Sequence, residues 1–458
     1  MKKINNVADV VNASFINPGS IIYIQGNAAT PQTLCKQLAA DTDIRKVEAL
    51  SVLLLGDIED LFSRESCERI KHRIIYNGPY SRTAINNGWA AYQLMHLSDI
   101  PRQLRSYIKP QIAFIQVSGP DNGGNYSLGT TVEGTRAAVD AAKAQHGLVI
   151  AEKNEQMPFV LGTTLHESEI DYLIDVDYPL PLSPVHEPDE RAGRIGEIIA
   201  ELFIHDGSTL QYGIGEVPEA LTQALIRKGV KDLGIYTELL ADSLRVLIDE
   251  GIVTNKYLKN NFSLASIFLS GSKDGYDWLD FNSSVQSRPS DQTNKIVNIS
   301  AQPRMTAINS AIGVDLHGNI WADSLFARQI YSGIGGQADY LRGSYLSENG
   351  VPIIAMKSTT DNHVSKIVDK CPEGITTTAI AADPVIIVTE HGAFNPRGLT
   401  IAEHAIGIAH LAVPEVRDEL LKEVYESKEF HKPRAALSEV KPKGFLSYET
   451  IFGISRGR

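Results

Sequence analysis

The sequence predicts an α/β protein built from two similar units with largely parallel sheets, and three observations predict it. The first is a repeat. GSIIYIQGNAATPQTLCKQL begins at Gly19 and GSTLQYGIGEVPEALTQAL at Gly207. Gly26, Pro31, Leu34 and Leu38 are spaced 5, 3 and 4 residues apart, and Gly213, Pro218, Leu221 and Leu225 repeat that spacing 187 residues later. Each copy opens on Gly-Ser and a short β-rich run, turns on glycine and small residues, places proline in a first helical turn, and continues with helical apolar spacing. The second observation is the alternation of strand-like and helix-like runs along the chain, which implies parallel pairing with ligand sites at strand C-termini. The third is a proline-rich joint, VDYPLPLSPVHEPDE at 176–190, whose Pro179, Pro181, Pro184 and Pro188 forbid a regular helix or central strand. The two units are therefore drawn as 1–185 and 186–458.

The elements follow in order. Runs rich in β-branched and apolar residues, bounded by glycine, proline or polar residues, read as strands at 51–56 (SVLLLG), 111–119, 147–154, 295–300 (KIVNIS), 352–358 and 384–392. Apolar residues three and four apart read as helices at 132–145, 191–204, 399–411 and 415–427. The tail from about 430 to 458 is basic and poorly periodic, and is expected to pack on the surface or at a subunit contact.

Bulk properties narrow the function. The 458 residues are 43% hydrophobic and 21% charged, ordinary for a globular enzyme of two or three domains. A net charge of -12 argues against nucleic acid as a main partner, because phosphate backbones call for a basic face. Cys35, Cys67 and Cys371 are odd in number and widely separated, which argues against a disulfide framework or zinc site and for a reducing compartment. No HExxH or HxxxH pair points to a metal, so none is expected. The N-terminus lacks a signal-type apolar core and no run of 18 apolar residues occurs; a cytoplasmic protein without a membrane span is expected.

Three stretches carry chemistry. In GIGEVPEAL (213–221), backbone N–H groups at a glycine turn into a helix offer an anion site, while a tight turn without a ligand explains the pattern equally well. The third glycine of a dinucleotide fingerprint is missing, and P-loop and GxSxG patterns are absent. In GIGGQADYLRGS (333–344), Gly333, Gly335 and Gly336 allow close backbone approach, exposed N–H groups would serve as an oxyanion hole, and Arg342 adds a cation; simple chain reversal is the alternative. In LGIYTELLADS (233–243), Glu238 ends a strand-like run. A carboxylate held by burial and donors is a nucleophile, but periodicity alone favours a cap or a solvated side chain. His166, His363 and His391 lie near turns and are weaker candidates for substrate contact.

Together these stretches resemble the acetyl-CoA hydrolase/transferase family, the group that includes 4-hydroxybutyrate, butyrate and acetate CoA-transferases. The likeness runs over nearly the whole chain and is carried by IAFIQVSGPDNGGNYSLGTTV (112–132), LQYGIGEVPEAL, GIYTELLADS, INSAIGVDLHGNIWAD (308–323), GIGGQADYLRG and VTEHGAFNPRGLT (388–400). It implies two CoA-transferase-type (NagB/RpiA-like) domains, the second carrying the catalytic glutamate and the CoA loops. It implies that Glu238, in the family's G-x-[HY]-T-E context, is the nucleophile, with Tyr236 standing where the family's usual residue is His. It further implies that Gly213, Ile214, Gly215, Glu216 and Val217 line the CoA site, that Ile312, Gly335 and Gly336 border the acyl-CoA, that Lys357 lies near its polar groups, and that Asn294 backs the oxyanion. The implied activity is CoA transfer between a short-chain acyl-CoA and a carboxylate such as acetate, with acyl-CoA hydrolysis by the same glutamate as the alternative. CoA is then a substrate, no cofactor is permanently bound, and a homodimer is expected. A catalytically silent binding protein and a dinucleotide oxidoreductase are the rival classes.

Overall fold

The computed structural model describes residues 1–326, 329–430 and 442–454. Two sheets organise the chain. The first has eight strands in the order Lys2–Lys3, Tyr172–Val176, Leu148–Asn154, Ile112–Val117, Ile21–Ile24, Val47–Ser51, Ile70–Ile74 and Ala91–Tyr92, all paired in parallel. The second has seven strands in the order Gly234–Ile235, Thr209–Gln211, Met305–Asn309, Val351–Ala355, Ile386–Thr389, Gly392–Phe394 and Phe445–Ser447. Its first five are parallel and its last two antiparallel. Coverage of both faces buries central strands completely, as in Ile112–Val117, where all six residues are buried and five of them are apolar.

The repeat in the sequence is a repeat in topology. Numbering five parallel strands of each sheet by chain position, both sheets run 5-4-3-1-2: from Tyr172–Val176 to Val47–Ser51 in one, and from Ile386–Thr389 to Gly234–Ile235 in the other. Strand 1 in each is the glycine-turn strand of the repeat, and its two neighbours lead away in opposite directions. That reversal opens a crevice at the strand C-termini, between strands 1 and 3.

The two crevices differ in what fills them. In the first sheet Gln25 and Gln116 close it: Gln116 N donates to Gln25 Oε1 at 2.7 Å, and Gln25 Nε2 donates to the Thr131 carbonyl at 2.7 Å. Glu152 then takes the first free N–H groups of the helix Gln32–Ala40, accepting from Leu34 N at 2.6 Å. Burial pushes the Glu152 carboxyl up to about 7, against hydrogen bonds from Tyr178, Leu34 and Thr33 that favour its anion. The chain thus supplies its own anion at this turn. In the second sheet Gln211 and Asn309 span the same position, with Asn309 Nδ2 donating to Gln211 Oε1 at 3.1 Å, and the crevice above them is open.

Most expected elements form, with ends displaced by one to three residues: Leu148–Asn154, Val351–Ala355, Ile386–Thr389, Thr135–Ala144, Glu190–Phe203, Ile401–Ala409 and Pro414–Glu426. Two expected strands do not. The strand in this region is Val47–Ser51, and 51–56 turns away because the Leu53 carbonyl accepts from Asn27 N in the glycine turn. KIVNIS is a helix over Ile296–Ser300: Val297 faces solvent at 60% exposure while Ile299 is fully buried, so the packed face is set by Ile296 and Ile299, three residues apart, and Val297 lies off it. The tail is ordered where described. Phe445–Ser447 adds an edge strand, and Tyr448 in the following helix donates to Glu197 Oε2 at 2.7 Å, with the Arg194 guanidinium over its ring. Residues 431–441 and 455–458 lie outside the described residues. Among the described residues no helix is long and apolar enough to cross a membrane, and no cluster of three metal-ligating side chains occurs.

Candidate active site

The open crevice has a volume of about 550 Å³ and is formed where three parallel strands end. Gly213 to Pro218 form one wall, Ile308 to Ser310 the floor, and Ala355 to Lys357 the opposite wall, with Glu238 at its inner end. Gly215 has φ +125, a conformation that glycine adopts without steric cost, and it caps the 13-residue helix Glu216–Lys228. No side chain caps this helix. Its first N–H groups and the positive end of its dipole therefore face the crevice.

Charge in the crevice is balanced around Lys357. Its ammonium pairs with Asp189 at 2.9 Å and with Glu216. Burial works against its charge, yet these two hydrogen bonds and their charges raise its pKa. Lys366, also in the wall, has a lowered pKa, first from burial and then from the neighbouring Lys357 charge. His186 and Asp361 complete the rim.

Glu238 is held by its backbone and its carboxylate separately. Its carbonyl accepts from Ser266 N at 3.0 Å, Ile267 N at 2.9 Å and Ser266 Oγ at 3.1 Å, while Thr237 Oγ1 donates to the Leu239 carbonyl at 2.9 Å. These bonds belong to a two-strand pairing of Leu239–Ala241 with Ile267–Leu269. The carboxylate keeps only partial exposure, through the crevice. Its Oε2 accepts from Asn294 Nδ2 at 2.8 Å. Thr293 Oγ1 donates to Asn294 Oδ1 at 2.8 Å, which fixes the amide with its NH₂ toward Glu238. Tyr340 and Tyr236 brace this segment by donating to the Thr293 carbonyl at 2.9 Å and the Gln292 carbonyl at 2.8 Å. Tyr236 thus supports the loop that carries Asn294.

Gly336 closes the site from the other side. It precedes the helix Gln337–Leu346 with φ −100, which any residue adopts, so glycine is required there by space alone. A methyl group on its Cα would overlap Glu238 Oε2 and Asn294 Nδ2. Gly335 stands at φ +61, and its carbonyl accepts from Leu97 N of the first half at 3.0 Å. Burial raises the Glu238 carboxyl to about 7; the Asn294 hydrogen bond opposes this and the Asp339 charge adds to it. Asp339 is itself pushed up to about 6 by burial, against hydrogen bonds from Ser98 at 2.8 and 3.2 Å. Glu238 is therefore a largely buried carboxyl held by a single amide donor at the end of a cleft, and not a solvated helix cap.

The fold brings together Glu238, Asn294 and Gly336, and lines the same crevice with Gly213, Ile214, Gly215, Glu216, Val217 and Lys357. Ile312 is apart from that lining; its N–H bonds to the Trp321 carbonyl at 2.9 Å. Arg342 points away and pairs with Asp383 at 3.1 Å, with 59% of its side chain exposed. His166, His363 and His391 are not among the lining residues, although His363 N donates to the carbonyl of the lining residue Thr360 at 3.0 Å; the histidine that reaches the lining is His186, from the proline-rich joint. Sequence reasoning missed Tyr76, whose phenol pKa is raised first by burial and then by the Glu238 charge, as well as Asp339 and Lys366. Tyr76 and Lys366 come from stretches with no catalytic-looking pattern, whereas Asp339 lies within GIGGQADYLRGS, where ADYL at 338–341 carried the one usable signal, an acid in the first turn after a glycine loop.

Fold and site define a CoA-transferase-type α/β protein, and comparison with known proteins agrees. Models of the acetyl-CoA hydrolase/transferase N-terminal and C-terminal domains match residues 1–184 and 271–424. The chain belongs to the acetyl-CoA hydrolase/transferase family. It is 35% identical over 386 residues to the 4-hydroxybutyrate coenzyme A transferase of Clostridium kluyveri, covering 82% of this chain and 87% of that one. It is 32% identical over 419 residues to the succinyl-CoA:acetate/propanoyl-CoA:succinate CoA transferase of Fasciola hepatica, covering 90% and 86%. The crystal structure of RipA from Yersinia pestis superposes with a TM-score of 0.84 at 30% identity, covering 92% of this chain and 96% of that one. An acetyl-CoA hydrolase of Neurospora crassa matches 56% of this chain and 48% of its own length, at 28% identity.

Proposed function

We propose that the protein is a CoA-transferase that moves CoA between a short-chain acyl-CoA, such as 4-hydroxybutyryl-, butyryl- or acetyl-CoA, and a carboxylate such as acetate, using Glu238 as covalent carrier. The observation that carries this reading is the Glu238 carboxylate held between Asn294 and Gly336 at the inner end of a crevice whose wall is an uncapped helix N-terminus.

The steps balance without a metal or redox group. The Glu238 carboxylate attacks the thioester carbonyl; the C–S bond breaks, giving an acyl-glutamyl anhydride and CoA thiolate. The thiolate attacks the glutamyl carbonyl, and the acyl group leaves as a free carboxylate. The enzyme then holds a glutamyl-CoA thioester. An acceptor carboxylate runs the sequence backwards and departs as a new acyl-CoA, restoring the Glu238 carboxylate. A carboxylate is a weak nucleophile, so orientation matters most. Gly213 to Val217 hold the pantetheine and nucleotide of CoA, and Lys357 meets its polar groups. N–H groups at Gly335 and Gly336, with Asn294, receive the oxyanion, at about 3 kcal/mol per donor. Catalysis needs no bound cofactor, and a cytoplasmic homodimer is part of the same proposal.

Hydrolysis by the same glutamate is the second reading, favoured by the hydrolase relatives. Intact-protein mass spectrometry after mixing with acetyl-CoA tests both. A gain of one CoA, mapped to Glu238 and discharged to acetyl-CoA by acetate, is expected. A protein without the adduct, or a Glu238→Ala variant with full activity, overturns the mechanism; an adduct consumed by water as fast as by acetate selects hydrolysis.

A further inference from the structure

A second carboxyl group lies beside Glu238, contributed by the other half of the chain. The segment Thr130–Glu133 runs alongside Ile267–Leu269 on the edge opposite Leu239–Ala241: Phe268 N donates to the Thr130 carbonyl at 2.8 Å, and Val132 N donates to the Ser266 carbonyl at 2.8 Å. Ser266 N in turn bonds the Glu238 carbonyl, so Glu133 and Glu238 flank one residue. Ser290 N, four positions before Asn294, closes the arrangement by donating to the Glu133 carbonyl at 3.1 Å.

The Glu133 side chain is fully buried, and neither carboxyl oxygen has a hydrogen-bond partner among the described residues. Such a group is tolerated in its neutral form and is costly as an anion. The titratable groups that face it are Glu238 and Tyr23; the Tyr23 phenol bonds Thr135 at 3.1 Å and has its own pKa raised by burial and by the Glu133 charge. Glu238 is faced in addition by Asp339, Tyr76 and Tyr340, and is stabilised as an anion by Asn294. Of the two carboxyls, then, only Glu238 has a donor for its charge. Burial, followed by the Glu238 charge, pushes Glu133 up to about 8.

We propose that Glu133 is a positioning residue for Glu238: held as a neutral acid, it leaves Glu238 as the anionic member of the pair, and its ionisation silences the site. The proposal rests on Glu238 being the covalent carrier. With Glu133 ionised, attack on the thioester would build an oxyanion beside a second buried negative charge with no cation facing it, and like charges in such a site oppose each other strongly. Because Glu133 acts through Glu238, the rate of covalent capture responds to it and the binding of CoA does not.

The test is the single-turnover rate of CoA adduct formation from acetyl-CoA between pH 6 and 9.5, read by quenched intact-protein mass spectrometry. In the unaltered protein the rate should rise through about pH 7 and fall about tenfold by pH 9, one unit beyond the point where half of Glu133 is ionised. Glu133→Gln should keep the rise, lose the alkaline fall, and leave half-saturating acetyl-CoA within about twofold. Glu133→Asp, a second variant for the case in which the amide fails to fold, should keep an alkaline fall at a displaced pH. An alkaline fall that is absent from the unaltered protein, or unmoved in both variants, overturns the proposal while leaving Glu238 as carrier. Absence of any adduct in the unaltered protein overturns both.

Discussion

Replacing Gly336 with alanine isolates the positioning of Glu238 from everything else in the site. The backbone at φ −100 accepts alanine without strain, so the helix Gln337–Leu346 keeps its start. The new methyl would lie well inside 3.0 Å of both Glu238 Oε2 and Asn294 Nδ2, closer than real side chains approach. The helix cannot yield freely: Gly335 is tied to Leu97, Asp339 to Ser98 and Tyr340 to Thr293. The carboxylate must move instead, by roughly 1 Å, and a displacement of that size at a reacting group costs about 10²-fold in rate, or ~3 kcal/mol of barrier. Single-turnover adduct formation from acetyl-CoA should therefore slow about a hundredfold in Gly336→Ala, with half-saturating acetyl-CoA little changed because Gly213 to Val217 are untouched. A melting temperature near that of the parent would show that the change is local. A Gly336→Ala protein that forms the adduct at the parental rate would refute the reasoning, since the carboxylate would then have a working position other than the one described.

Two further predictions concern charge. Asn294→Ala removes the 2.8 Å donor to Glu238, a charged-group hydrogen bond worth about 1.5–3 kcal/mol, so the acid limb of adduct formation should move upward from pH 7 by about one to two units; an unmoved limb would rule out Asn294 as the anion's support. Glu238→Gln should stabilise the fold in a pH-dependent way. The folded carboxyl is raised to about 7, above its unfolded value, so the native state binds more protons and the parent loses stability as pH rises from about 4.5 to 7. The variant's advantage should be near zero at pH 4 and reach at most ~3 kcal/mol at pH 8, less any solvent screening through the crevice, seen as a melting-temperature gain of a few degrees. A variant less stable than the parent at pH 8 would contradict the burial argument.

Local pattern made parts of this site legible. The glycine turn at 213–215, the proline of the first helical turn and the apolar period after it specify a strand–turn–helix unit by backbone sterics alone, and their recurrence 187 residues upstream foretold two sheets of one topology. The chemistry was less legible because its contacts are long-range. Glu133 reaches Glu238 across 105 positions, and it is the intervening Ser266 backbone that joins them. KIVNIS failed as a strand for the same reason: its residues suit either period, and packing of Ile299 chose the helix.

The sequence by itself determined the duplicated α/β plan, the glycine turns, and a carboxylate at the end of a strand-like run, since each depends on conformations that a few neighbouring residues permit or forbid. Only the tertiary structure decided which of the two equivalent crevices is usable. Gln25, Gln116 and Glu152 fill the first, whereas the second keeps its helix N-terminus free and receives Glu238, Asn294 and Gly336. Occupancy of a cleft and the pKa of a buried acid depend on what distant segments bring within a few ångströms, a quantity that folding sets and that spacing along the chain does not encode.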